Sequence, residues 1–174
     1  MNTELIRMSD AYRQELTEML DEWSADIARN HTNRSPSVLF KYDWHDFDSY
    51  ITLIDSVPHE EDGIVPATTF FCLDRDRNRL VGAVNIRHWL NEGLLFSGGH
   101  IGSGIRPSER GKGYGTAMTA LALRECKKLG ITRVLMCCDR NNLASARVIV
   151  KNGGVLENEV WDEDHFEQRY WIKL

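Results

Sequence analysis

The stretch Gly102-Ser-Gly-Ile-Arg-Pro-Ser-Glu-Arg110-Gly-Lys-Gly-Tyr-Gly115-Thr116 decides how this chain is read. A strand ends at Ile105-Arg106-Pro107, because proline offers no N–H to a ladder, and a helix opens within about ten residues of it. Glycines at 111, 113 and 115 let backbone approach a ligand without a Cβ in the way. The first helical N–H groups have no intrahelical acceptor and lie at the positive end of the helix dipole. A corner built this way binds phosphate groups.

Two familiar phosphate loops do not fit. A Walker loop needs glycine where Arg106 stands and Ser or Thr where Gly113 stands, and a dinucleotide fingerprint needs G-x-G-x-x-G after the first strand of a βαβ unit. An ordinary tight turn would not need three alternating glycines flanked by Arg110 and Lys112.

Working outward toward the C-terminus, Tyr114, Ala117, Met118, Leu121, Cys126 and Leu129 give a long amphipathic helix stopped by Gly130. Arg133 to Cys138 reads as a buried strand and Asp139 to Asn141 as a loop. A shorter helix from Leu143 to Lys151 follows, then strands at Val155 to Trp161 and Gln168 to Leu174. Toward the N-terminus, Ala67 to Leu73 and Leu80 to Arg87 form a hairpin around Asp74 to Asn78. A loop at Asn91 to Gly93 leads into the strand Gly99 to Ile105. Glu4 to Arg7 is an edge strand, Ser9 or Asp10 caps a helix carrying Leu16, Met19, Leu20, Trp23 and Ile27, and Trp44, Phe47, Ile51 and Ile54 share one face of a second helix. The order predicts an α/β fold with a mixed, mostly antiparallel central sheet of six to seven strands flanked by about four helices.

The 174 residues and 42% hydrophobic content suit one domain with its own core, spanning 1–174. No apolar run reaches the roughly 18 residues of a membrane helix and no signal-peptide pattern is seen, so a cytoplasmic protein with no membrane partner is expected. Four cysteines at irregular spacing suggest neither a disulfide framework nor a zinc site, and no metal is expected. A net charge of −5 argues against nucleic acid. Seven carboxylates between Asp43 and Asp62, with no Lys or Arg after Lys41, either attract a cationic amine or form a solvated helix face. Exposed strand edges allow a homodimer.

Arg110, Gly113 and Gly115 match R/Q-x-x-G-x-G/A, the acyl-CoA motif of the GCN5-related N-acetyltransferase (GNAT) family, which this chain resembles over roughly residues 80 to 160. Asn142 opens N-x-x-S, similar to the family's second cofactor element, and Ile86-Arg-His-Trp-Leu-Asn91 with Gly98-Gly-His-Ile101 resemble one bacterial subgroup of predicted acetyltransferases. The resemblance implies acetyl-CoA as cosubstrate, held by Ile105, Arg110, Gly111, Lys112, Gly113, Tyr114, Gly115 and Thr116, with Asn142 and Ser145. It also implies direct attack of a primary amine on the thioester, the oxyanion being held by backbone N–H near the end of the Gly99 to Ile105 strand, with the acceptor cleft bordered by helices in about 9–60.

An amine of pKa about 10.4 must lose a proton before attack, and the leaving sulfur benefits from gaining one. The tyrosine that often protonates the sulfur is replaced by Ile149, and the usual glutamate aligns near Gly99, with His100 beside it. His100 is the first candidate base because imidazole titrates near neutrality, against the alternative of a hydrogen-bonded structural histidine. His88 is the second. Cys138 is a candidate nucleophile only if something lowers its pKa; otherwise it is a buried strand cysteine. The expected function is acetyl transfer to the amine of a small molecule. The alternatives are a peptide or protein amine, or a non-catalytic acyl-CoA sensor.

Overall fold

The computed structural model describes residues 1–55 and 64–174. Seven strands, β1 (Thr3–Ile6), β2 (Ala67–Asp74), β3 (Arg79–Arg87), β4 (Ile101–Ile105), β5 (Arg133–Asp139), β6 (Val155–Asp162) and β7 (His165–Lys173), are interleaved with five α-helices. The helices are α1 (Arg13–Asn30), α2 (Phe47–Leu53), α3 (Glu92–Phe96), α4 (Tyr114–Lys128) and α5 (Leu143–Lys151).

The strands form two sheets, ordered β1-β2-β3-β4 and β5-β7-β6, and every ladder in them is antiparallel. β4 and β5 share no ladder. They meet at an isolated bridge between Gly99 and Met136, where the His100 N–H donates to the Leu135 carbonyl at 2.8 Å. Beyond that junction the two strands make no ladder bonds to each other, so the inner edges of both sheets border an opening.

Two apolar clusters explain the layers. Leu16, Met19, Leu20 and Trp23 of α1 pack with Phe47 and Tyr50 of α2 against Phe71, Leu73, Leu80 and Ala83. On the other face Met118, Ala122 and Cys126 of α4 and Ile149 of α5 pack against Val84, Ile86, Ile101, Val134, Met136 and Ile172. Each helix buries the stripe its 3.6-residue period creates.

Some elements differ from the sequence reading. The expected loop at Asn91 to Gly93 is the N-terminus of α3, capped by the Asn91 carboxamide, which accepts the Leu94 N–H at 2.9 Å. Five residues are too few for a periodic signal. The ladder of β4 begins at Ile101, since Gly98 and Gly99 turn the chain with positive φ of 99° and 63°. β7 starts at His165, three residues before the expected Gln168, because the β6–β7 turn is short.

Candidate active site

Glycine builds the corner between β4 and α4. Gly111 and Gly113 adopt φ of 77° and 89°, the region that favours residues without a Cβ. A Cβ on Gly111 would meet nothing within 4 Å, and one on Gly113 only the Met1 side chain at 3.6 Å. The first helical bond runs from the Ala117 N–H to the Gly113 carbonyl. The six N–H groups from Gly111 to Thr116 therefore have no acceptor among the described residues. Six free donors at the head of a 15-residue helix fit a pyrophosphate.

The side chains of this loop turn back into the protein. Arg110 donates to the Ile105 carbonyl at 3.2 Å and pairs with Asp26 of α1 at 2.8 Å. Lys112 bonds Glu109 at 3.0 Å, and the Tyr114 hydroxyl donates to Asp74 at 2.5 Å. Glu109, 3% exposed, also accepts from Arg77 and Arg79, and the hydrogen bonds from Arg77 and Lys112 overcome its burial and pull its pKa to about 2. The Tyr114 and Arg77 hydrogen bonds do the same for Asp74, also to about 2. At the start of the corner, Arg106 is buried and bonds Glu22 at 2.6 Å, and Glu22 in turn accepts the Ser108 N–H at 2.7 Å. α1 and the β2–β3 hairpin thus clamp the loop and leave its backbone to face outward. Gly115 serves helix packing instead, since its Cβ would stand 3.3 Å from Val148 and its absence lets α4 and α5 approach.

On β4 the Arg106 N–H bonds the Val81 carbonyl, and the His100 carbonyl accepts from Arg87. The antiparallel alternation then turns the N–H groups of Ser103 and Ile105 to the free edge that borders the opening. Across it, Asn142 caps α5 by accepting the Ser145 N–H at 3.0 Å, and its amide nitrogen makes no bond among the described residues. Ser145 also hydrogen-bonds Cys138.

His100 is tied to the junction of the sheets. Its Nδ1 accepts the Leu135 N–H at 2.9 Å, which fixes the proton of the neutral ring on Nε2, and burial lowers its pKa. His88 lies just past β3, with Nε2 2.8 Å from the Thr68 hydroxyl. Burial pushes the Cys138 thiol up to about 11, so at neutral pH it is protonated. Ile149, where the family resemblance implies a tyrosine, is 0% exposed and faces packed side chains of the core.

A different pair stands on the face of β7 that also carries Arg169. Glu167 is 9% exposed and lies opposite Asp139 of β5, and burial raises its pKa. His165 Nε2 is 3.1 Å from its carboxylate. The sequence signal is the alternation His165-x-Glu167, which lies outside a strand beginning at Gln168. Of the acidic run, Asp43 holds His45, Asp46 caps α2, Asp48 pairs with Arg13, and Asp55 with Arg7. Glu60, Glu61 and Asp62 lie outside the described residues. The described members of the run are spent locally.

The family model for the acetyltransferase (GNAT) domain matches residues 9–155. The chain belongs to the GNAT acetyltransferase family. Among solved structures it is similar to a ribosomal-protein-S5-alanine acetyltransferase from Vibrio fischeri (15% identity, 99% of this chain and 93% of that one, TM-score 0.71). It is also similar to the spermidine/spermine N-acetyltransferase SpeG from Vibrio cholerae, in mutant form (16% identity, 99% and 95%, TM-score 0.61). A third is the microcin C7 self-immunity acetyltransferase MccE in complex with acetyl-CoA and AMP (17% identity, 99% and 92%, TM-score 0.68). At such identities the likeness is one of fold. No curated protein sequence matches. No described helix is long and apolar enough to cross a membrane.

Proposed function

We propose that this acetyltransferase moves the acetyl group of acetyl-CoA to the primary amine of a small molecule by direct attack, in the cytoplasm. The observation that carries the reading is the row of six unpartnered N–H groups from Gly111 to Thr116, offered outward over two left-handed glycines. Bound acetyl-CoA supplies the activated thioester. The chain's own residues do the rest. Gly111 to Thr116 hold the pyrophosphate through backbone, and Asn142 and Ser145 line the opening on the α5 side. The free-edge N–H groups of Ser103 and Ile105 stabilise the carbonyl oxygen as it gains charge.

Glu167 is the base that receives the amine proton, directly or through one water. Its carboxyl is raised toward the working pH by burial, where Brønsted behaviour favours transfer. His100 cannot accept at Nδ1 without losing the Leu135 N–H, and its role is to join the two sheets. The C–N bond forms, the C–S bond breaks, and the sulfur takes a proton from solvent.

Substrates named for the structural neighbours include both ribosomal proteins and polyamines, so the acceptor needs its own test. Thiol release from acetyl-CoA should be measured over polyamines, aminoglycosides, amino acids and N-terminal peptides. Turnover with small amines supports the proposal. Turnover confined to peptides overturns the small-molecule acceptor, and acetyl-CoA binding with no turnover on any amine overturns the proposal.

A further inference from the structure

On the α1 side of the sheet, β3 ends in a cation without a counter-ion among the described residues. Six arginines have no carboxylate partner among the described residues: Arg29, Arg34, Arg87, Arg124, Arg133 and Arg147. Five of them are exposed, whereas Arg87 is largely withdrawn from solvent and its pKa is lowered by burial. Burying a charge is costly unless something compensates it. Two carbonyls do so in part, since Nη1 donates to Gly98 at 3.2 Å and to Gly99 at 3.1 Å.

Nη2 has no acceptor among the described residues. It lies 3.5 Å from where a Cβ would stand on Gly102, and the Ser35 hydroxyl, which also makes no hydrogen bond there, lies 3.5 Å from the same point. Arg87 and Gly102 share a face, because Gly102 pairs with Asn85, two residues before Arg87 on β3. A guanidinium and a hydroxyl therefore converge over bare backbone, with Pro36 as an apolar wall at 3.5 Å from that point. That donor set matches a small oxyanion.

The oxyanion is not the cofactor's pyrophosphate. The donors converge over Gly102, the second residue of β4, whereas the glycine corner follows the end of that strand, so Ser103 to Ile105, about 10 Å at roughly 3.3 Å each, and the turn at Pro107–Glu109 separate them. Glu167 stands two residues from Arg169, the ladder partner of Cys137, and Cys137 carries an electrostatic interaction with both Glu167 and Arg87.

We propose that Arg87 and Ser35 bind an anionic group of the acceptor, so that the substrate is an amine bearing a carboxylate or phosphate. This deepens the function proposed above and rests on it. An amine seated against Glu167 would be oriented by its anion at Arg87, which supplies positioning.

The test uses matched acceptors: amino acids against their amides, and phosphoethanolamine against ethanolamine, with acetyl-CoA binding measured first by calorimetry. The wild-type protein should give a kcat/KM higher by roughly 10- to 150-fold for the anionic member of the preferred pair, the range for a charged hydrogen bond. Arg87→Met and Ser35→Ala should erode that ratio while turnover of the neutral partner stays within about threefold. Arg87→Lys should restore part of it. Which pair responds identifies carboxylate or phosphate. Equal rates for both members of each pair, an unchanged ratio in both variants, or binding of acetyl-CoA without turnover of any anionic amine overturns the inference. Failure to bind acetyl-CoA instead sinks the function on which it rests.

Discussion

Replacing Gly113 with valine tests the glycine corner most directly. Gly113 sits at φ 89° as the N-cap of α4, with three free N–H groups after it and two before it. A β-branched residue in the left-handed region costs on the order of 1–2 kcal/mol or more. The loop either keeps its shape under that strain, with two methyls where phosphate oxygens belong, or relaxes and turns its N–H groups away. Losing two hydrogen bonds to a charged phosphate, at about 1.5–3 kcal/mol each, removes roughly 3–6 kcal/mol, a fall in affinity of about 10² to 10⁴. The fold should survive, because a Cβ at this position meets only Met1 at 3.6 Å. Strain of that size shifts Tm by only about 2–8 °C in a chain of this length. Calorimetric titration with acetyl-CoA, beside circular dichroism, reads both quantities. A folded Gly113→Val protein that binds within about threefold of wild type would refute the phosphate cradle.

Three other outcomes are expected. Ile149→Ala should lower stability by about 2–5 kcal/mol, because a fully buried side chain is lost from the core; a variant with wild-type Tm and lost turnover would contradict this. Glu167→Gln should lower kcat by roughly 10²–10⁴ and abolish the acid limb of its pH profile, which in the wild type should lie above the ordinary glutamate range because burial raises this carboxyl; retention of both activity and limb would remove Glu167 as the base. The folded pKa values of Glu109 and Asp74 are depressed to about 2, so their contribution is present above their unfolded values and lost as pH falls from there toward about 2. An acid titration of Tm should accordingly be shallower over that window in Glu109→Gln, and identical slopes would show that the loop anchor contributes nothing.

What the sequence disclosed and what it withheld divide along a physical line. The strand, glycine turn and long helix around Gly102 to Thr116 are legible because local backbone preference dictates them: proline ends the ladder, glycine takes the positive φ, and the apolar period marks α4. The same locality makes Asn142 readable as a cap. The division into two sheets was not legible, since it depends on the junction of Gly99 and His100 with Leu135 and Met136, more than thirty residues away. Nor were the partners of Arg110, Lys112 and Tyr114. A motif shows that those side chains flank the turn, and Glu109 lies within it, three residues from Lys112, whereas Asp26 and Asp74 reach Arg110 and Tyr114 only through the packing of α1 and the hairpin. His100 illustrates the limit: its residue type suggested a base, and a backbone N–H from β5 commits its lone pair.

The inward turn of the loop's side chains has an electrostatic consequence for ligand binding. Two carboxylates, Asp74 and Glu109, are held beneath the corner by three cations, Arg77, Arg79 and Lys112, through direct ion pairs. The same network takes in Glu22, which pairs with Arg79 and Arg106, and Glu15, which pairs with Arg106, so four cations face four carboxylates and the anchor is neutral. Arg110 adds no charge either, being paired with Asp26. The cradle therefore receives an anion with its backbone N–H groups and the dipole of α4, while the anchor contributes by fixing their geometry. Lengthening the distance between anchor and loop would loosen that geometry and weaken binding with no change in net charge.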